Sequence, residues 1–248
     1  MHGREALALL EEVAAAIGTT LGALEDWGLA GTKPGQYRSD LAADEVAVQL
    51  LLDNGVGVLS EETGRHEPDR TVTVVLDPLD GSTNASRGIP WYATSLCAVD
   101  ADGPLAALVV DLAHHTRFDA VRGGGARCDG KVVAPSGSTD LRQSLVALSG
   151  MPPGWLGWKQ YRALGACALD LCAVASGVVD AYLDCSASAH GPWDYLGGLL
   201  VCTEAGGAVA DAEGRDLVVL EHADRRTPIA AATPELLEAC LAARRTFP

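Results

Sequence analysis

The stretch Asp77-Pro78-Leu79-Asp80-Gly81-Ser82-Thr83-Asn84 restricts the fold more than any other part of the sequence. It follows the β-branched, apolar run Thr71 to Leu76, so it stands where a strand ends and a turn or helix begins. Open α/β sheets put ligands at strand ends, because the loops there are free to carry function. Pro78 stiffens the turn and Gly81 permits close backbone approach, so Asp77 and Asp80 can converge while the amides after Gly81 face outward. Two carboxylates about 4 Å apart repel by about 4 kcal/mol at an effective dielectric of about 20. The run holds no Lys or Arg, so the compensating charge it calls for is a hard divalent cation bound through oxygen. Exposed amides at a helix start suit an anion, and phosphate is the usual one. A cation and a phosphate in one pocket point to phosphoryl chemistry.

Other readings of the octapeptide fit less well. Counting back from Gly81 as the sixth position of an EF-hand loop puts Pro78 at the third, where an oxygen ligand is required, and Arg87 at the twelfth, where Glu is required. A plain Ca²⁺ buffer loses support with it. An aspartyl nucleophile of the D-x-D type needs its second acid where Leu79 stands. The remaining alternative is a surface turn at Asp80-Gly81-Ser82.

Charge narrows the partners. The 248 residues carry 18 Lys and Arg against 33 Asp and Glu, a net charge of −15, whose field repels nucleic acid and anionic membrane. With 48% hydrophobic and 21% charged residues, the chain has the composition of a globular protein with a sizeable core. Seven scattered cysteines without a C-x-x-C pair suit buried free thiols in a reducing compartment. The N-terminus has no signal-peptide core, and Asp111 interrupts even the apolar run Leu105 to Ala113. The expected location is the cytoplasm.

Periodicity sets out the elements. Leu7, Leu10, Val13, Ile17, Leu21 and Leu24 step by three and four, which predicts an amphipathic helix, and a second helix is expected from an N-cap at Asp40 to near Gly55. Strands are expected over Val56–Ser60, Thr71–Leu76, Tyr92–Asp100 and Pro104–Leu112, with a hairpin turning at Asp129-Gly130. The polar segment Pro135 to Asp140 is the expected boundary between an N-terminal α+β part, 1–135, and a C-terminal α/β part, 136–248. Beyond it, runs at Leu145–Leu148, Gly165–Ser176, Ala181–Cys185, Trp193–Ala205 and Ala208–Ala210 alternate, before a last helix with Thr233 as N-cap and Pro234 at its first position. The expected fold class is α/β, an α+β layered sandwich.

Further acids stand at element ends. Glu61-Glu62 follows the strand Val56 to Ser60, Trp193-Asp194 opens an apolar helix, and Glu204-Ala205-Gly206-Gly207 closes it. Each alone reads as a solvated loop or a cap. In chain order with the octapeptide, the hairpin Gly123 to Ala126, Arg162 to Asp170 and Asp180-Ala181-Tyr182, they resemble the inositol monophosphatase family of metal-dependent, lithium-sensitive sugar phosphatases.

The resemblance implies alternating helix and sheet layers and two or three Mg²⁺ ions. Glu61, Asp77 and the Leu79 carbonyl would hold one ion, and Asp77, Asp80 and Asp194 a second; a third would also use Glu61. Gly81 and Ser82 would offer amides to the phosphate, and the Ser82 hydroxyl, with Asp44 behind it and Glu61 or Glu62 assisting, would orient or deprotonate the attacking water. Asp184 stands at a position that meets substrate hydroxyls in the family, and Gly165, Ala166 and Cys167 match a substrate-facing turn. The implied activity is hydrolysis of a small phosphate monoester resembling inositol monophosphate, by a homodimer. Histidinol phosphate and nucleotide 3′-phosphates are the alternatives within the family, and a non-catalytic partner-binding protein is the alternative outside it. Ser60 stands where Gly is common, Ser82 where Thr is usual, and the loop from Asp184 to Asp194 is longer than in inositol-selective enzymes. Lys33 reads first as a solvated lysine and His190 as a loop histidine, each with a place near the site as the alternative; Trp155 and Trp158 suit a pocket cover or dimer contact, and His114-His115 a structural or surface role.

Overall fold

In the computed structural model, which describes residues 1–32, 36–186 and 189–247, the elements run in chain order α1 (Gly3–Ala23), α2 (Arg38–Asp53), β1 (Gly57–Ser60), β2 (Gly64–His66), β3 (Thr73–Asp80) and α3 (Ser82–Arg87). There follow β4 (Ala93–Asp100), β5 (Gly103–Asp111), β6 (Thr116–Val121), β7 (Ala126–Cys128), β8 (Lys131–Val132), β9 (Leu145–Ser149), β10 (Gln160–Arg162) and α4 (Cys167–Ala175). The last elements are β11 (Ala181–Asp184), α5 (Pro192–Glu204), β12 (Ala208–Asp211), β13 (Pro228–Ala231) and α6 (Pro234–Arg244). Lys33 lies outside the described residues, as do Ala187 and Ser188 of the loop before Asp194.

Two sheets organise the chain. One has eight strands in the order β2-β1-β3-β4-β5-β6-β7-β8, antiparallel except where β1 runs parallel to β3; the other has five, in the order β10-β9-β11-β13-β12. Strand alternation sorts the side chains between layers. Val74, Leu76, Leu96 and Ala98 face α1 and α2, whereas Val75, Cys97 and Val99 face α4 and α5. The second sheet covers the other side of α4 and α5, and α6 packs on its outer face. The layers thus alternate helix, sheet, helix, sheet, helix, as the α/β layered expectation has it.

By length and composition α1 could cross a membrane. Its buried residues Ala6, Leu9, Leu10, Val13, Ile17 and Leu21 nevertheless form one stripe, which is the face of a core helix against a sheet. The final helix starts as predicted, with the Thr233 hydroxyl accepting from the Leu236 amide.

Two local expectations change, at Asp40 and at the end of the strand that leads into the octapeptide. Asp40 is not the N-cap of α2: the helix begins at Arg38 after Tyr37, and Asp40, in its first turn, accepts from the Tyr37 amide at 3.2 Å. The strand expected to stop at Leu76 runs on to Asp80, with its pairing to β4 shifted between Asp77 and Asp80. In a regular strand those two acids would point to opposite faces; the irregularity frees them from that alternation. His114 and His115 lie in the turn after β5, where His114 Nδ1 sits 2.9 Å from Asp111 Oδ2.

Candidate active site

Three carboxylates come together at the end of the first sheet. Ligand oxygens of Glu61, Asp77 and Asp194 all lie within 4.8 Å of one another. Each owes its place to its element. Glu61 follows β1, and its amide donates to the Leu76 carbonyl at 3.1 Å, which keeps it beside β3. Asp77 is two residues beyond Val75, on the face turned toward α5. Asp194 lies in the first turn of α5, where its Oδ2 accepts from the Gly191 amide at 2.9 Å. The Ser95 hydroxyl, on the strand beside Asp77, donates to the Trp193 carbonyl at 3.1 Å and pins that helix end to β4. Gly198 lets α5 sit against α4, since a Cβ there would fall 2.6 Å from that of Leu171.

Asp80 flanks the three. Its Oδ2 accepts from the Ala168 amide at 2.7 Å, so the start of α4 holds it. After it, Gly81 adopts φ +86°, and a Cβ there would lie 3.0 Å from the Trp91 carbonyl and 3.2 Å from the Ala166 Cβ. The Asn84 amide group donates to the carbonyls of Trp91 and Leu164 at 2.8 and 2.7 Å, fastening α3 to the turn before α4.

The cluster is electrostatically unbalanced. Burial and then the neighbouring carboxylates hold the pKa values of Glu61 and Asp77 well above the ordinary range. Burial, with the charge of Asp194, pushes Asp80 up to about 7 against the amide bonds from Ala168 and Cys167. Crowded oxygen donors, buried at Asp77 and Asp80 and half-buried at Glu61 and Asp194, are the donor set that a hard divalent cation fits, because its charge offsets the desolvation and the mutual repulsion together.

Other expected residues fall differently. The Ser82 side chain lies near Asp40, whose pKa burial raises to about 7. Asp44 is the acid that the resemblance places behind Ser82. It lies four residues farther along α2, one turn on, where it accepts from the Ser60 hydroxyl. The Leu79 side chain enters the core beneath α1 and α2, and its amide donates to Asp77 Oδ1 at 2.9 Å.

Gly165, Ala166 and Cys167 close against the octapeptide. Ala166 and Cys167 are buried, and the Ala168 amide that follows them bonds to Asp80, so the turn supports a carboxylate of the site. Asp184 is likewise turned inward. It is 0% exposed, with Oδ1 accepting from the Ser186 amide and hydroxyl at 2.8 and 2.5 Å and Oδ2 lying 3.7 Å from His190 Nε2.

His190 joins the cluster through Asp194, with Nδ1 3.1 Å from Asp194 Oδ2 and Nε2 3.0 Å from the Tyr182 hydroxyl. Burial disfavours its imidazolium, but the Asp194 hydrogen bond and the charges of Asp194, Asp184 and Asp80 outweigh burial and raise its pKa to about 9. Asp40, the Ala168 amide and His222, whose Nε2 lies 3.0 Å from the Glu61 carbonyl, were not anticipated as site residues. Asp40 carried a signal, an acid in the first turn of a helix that also bears Asp44; the other two are long-range contacts with no local pattern.

Residues 36–247 match the inositol monophosphatase family. The chain is 32% identical over 205 residues to the fructose-1,6-bisphosphatase of Pyrococcus furiosus, covering 82% of this chain and 80% of that protein. It is also 32% identical over 207 residues to the Nus factor SuhB of Escherichia coli, covering 76% of this chain and 73% of the relative. Among solved structures, a hypothetical Pyrococcus horikoshii protein with similarities to inositol-1 monophosphatase superposes with a TM-score of 0.83 at 27% identity, covering 97% and 96% of the two chains. The cluster of acids described above thus sits in a chain that belongs to the inositol monophosphatase family.

Proposed function

We propose that this protein is a Mg²⁺-dependent phosphomonoesterase that hydrolyses a small phosphorylated sugar or cyclitol by direct attack of water. The convergence of the Glu61, Asp77 and Asp194 oxygens within 4.8 Å carries this reading. Glu61, Asp77 and the Leu79 carbonyl would hold one ion, and Asp77, Asp80 and Asp194 a second. When bound, such ions acidify water and stabilise the charge on the attacking and leaving oxygens.

The chain's own residues supply the rest. The amides at Gly81 and Ser82, at the start of α3, have no acceptors within that helix and are suited to phosphoryl oxygens. The Ser82 hydroxyl orients the nucleophile, and Asp40 behind it takes the proton, its pKa of about 7 matching a base that works near neutrality. His190 holds Asp194 through the Nδ1 contact.

The test is phosphate release from a panel of inositol, sugar, histidinol and nucleotide 3′-phosphates with millimolar Mg²⁺, including fructose 1,6-bisphosphate because a relative is named for it. Release that disappears in chelator and in Asp77→Asn supports the reading; no release from any of them ends it.

A homodimer in the cytoplasm completes the proposal. Met151, Trp155 and Tyr161 stand exposed together beside the edge strand β10, an apolar face suited to a second copy, and the seven cysteines are free thiols. Sedimentation of the wild type against a Trp155→Ser, Tyr161→Ser variant tests it. The relative named Nus factor SuhB favours one second reading, a non-catalytic partner-binding role. Capture of a partner that persists in Asp77→Asn, without turnover by the wild type, would support that instead.

A further inference from the structure

The connection between β12 and β13 reaches across the molecule to the acids. Glu221 accepts an ion pair from Arg65 of β2 at 2.5 Å, just beyond the turn that carries Glu61. Next to it, His222 Nε2 lies 3.0 Å from the Glu61 carbonyl. A carbonyl only accepts, so this nitrogen carries the proton and donates. The same imidazole lies against Gly64, where a Cβ would be 3.9 Å from its Cδ2. Its ring also stacks on Trp193, with centroids 4.8 Å apart and planes tilted by 30°. Three residues on, the Arg225 guanidinium sits 5.0 Å from the centre of the Trp193 ring, and it is itself held by the His222 and Asp224 carbonyls, each at 2.8 Å.

One exposed histidine therefore touches two segments that each carry a carboxylate of the cluster, one following β1 and the other opening α5. These segments are not neighbours in sequence and belong to different layers. The Glu61 amide and the Ser95 hydroxyl tie the two segments separately to the first sheet, and His222 adds a contact that joins them directly on the outer side of the carboxylates. Outer contacts of this kind orient ligands and set their affinity, and their loss typically lowers metal affinity about 10- to 100-fold.

We propose that His222 is a positioning residue of the metal site, fixing Glu61 relative to Asp194 through one hydrogen bond to the Glu61 backbone and one stacking contact on Trp193. This rests on the metal-dependent reading above. His222 touches no substrate in this assignment; it acts through the two carboxylates.

The experiment is Mg²⁺ titration of the full chain by calorimetry, together with the Mg²⁺ dependence of phosphate release, for wild type, His222→Ala, His222→Gln and His222→Phe. Gln keeps a donor for the Glu61 carbonyl and Phe keeps the ring on Trp193. The expected result is a dissociation constant raised about tenfold in Ala, with Gln and Phe each recovering part of the loss. The rate at saturating Mg²⁺ and KM for substrate should stay within about threefold of wild type. Equal Mg²⁺ affinity in wild type and Ala overturns the proposal, including the case where Ala merely melts at a lower temperature. If Ala does not fold, weakened binding in both Gln and Phe supports the proposal, and wild-type affinity in both overturns it. A wild type that binds no Mg²⁺ at millimolar concentration overturns the metal site itself, and this inference with it.

Discussion

The Ala168 amide donates to Asp80 Oδ2 at 2.7 Å, joining the first turn of α4 to the end of β3 across 88 residues of sequence. The contact neutralises part of the carboxylate's charge and commits Oδ2 to the fold, and the proposed function asks the same carboxylate to serve an ion as well.

Asp80→Asn tests this double role. The Asn side-chain oxygen can still accept from Ala168, so the variant should fold, with a melting temperature within a few degrees of wild type. Losing the charge should lower phosphate release at fixed Mg²⁺ by at least about 100-fold, more than is typical for an outer contact. Thermal melts and a steady-state assay check both.

Asp40 and Asp44 should separate cleanly by pH. With Asp40 protonated below about 7, kcat/KM should climb as pH rises through that value. Asp40→Asn should remove this limb and slow turnover by about 10²- to 10⁴-fold. Asp44→Asn should keep the limb and instead weaken the fold by about 1–3 kcal/mol, because the buried Ser60 hydroxyl loses its charged acceptor. A pH-rate profile and a denaturant midpoint distinguish the two.

The metal-free protein should lose stability as pH rises. Asp80 titrates near 7 in the folded chain against an ordinary 3.8, and Glu61 and Asp77 are also raised, so between about pH 4 and 7 the native state holds protons that the unfolded chain has released. Their contribution is complete below the unfolded values and is lost on passing through the folded ones. In chelator, the melting temperature should therefore be higher at pH 5.5 than at pH 7.5. Millimolar Mg²⁺ should raise it, and by more at the higher pH. Calorimetric melts at both pH values, with and without Mg²⁺, check the sign.

Gly81→Ala should be costly for two independent reasons. The position holds φ +86°, which costs an L-residue about 1–2 kcal/mol, and the added methyl would press on the Trp91 carbonyl and the Ala166 side chain. Stability should fall by at least about 1 kcal/mol, and activity should fall with it, because the displaced backbone carries the Gly81 and Ser82 amides. Equilibrium unfolding and kinetics on the purified variant measure the two effects.

The parts of the fold and site legible in the sequence are those written in short-range patterns. The stripe from Leu7 to Leu21 foretells α1 because burial on one face repeats with the helical turn. Thr233-Pro234 foretells the start of α6 because capping is local chemistry. Asp77, Asp80, Glu61 and Asp194 are legible as candidates because they stand at element ends in motifs that resemble one family. The extent of β3 was less legible, since the octapeptide reads as a turn but pairs irregularly with β4 as far as Asp80.

Sequence alone determined the alternation of elements, the acidic chemistry and the family resemblance, because each rests on residues that act within a few positions of one another. Tertiary structure decided which acid serves which neighbour. Asp40 lies near Ser82, and Asp44 bonds to Ser60, because the register of α2 over the octapeptide is set by core packing, which spacing along one helix does not reveal. Asp184 is turned inward toward Ser186 and His190, and the 165–167 turn closes on Asp80, because burial depends on which layer covers a strand end. His222 reaches Glu61 from 161 residues away, a contact made only when the two sheets pack against the same pair of helices.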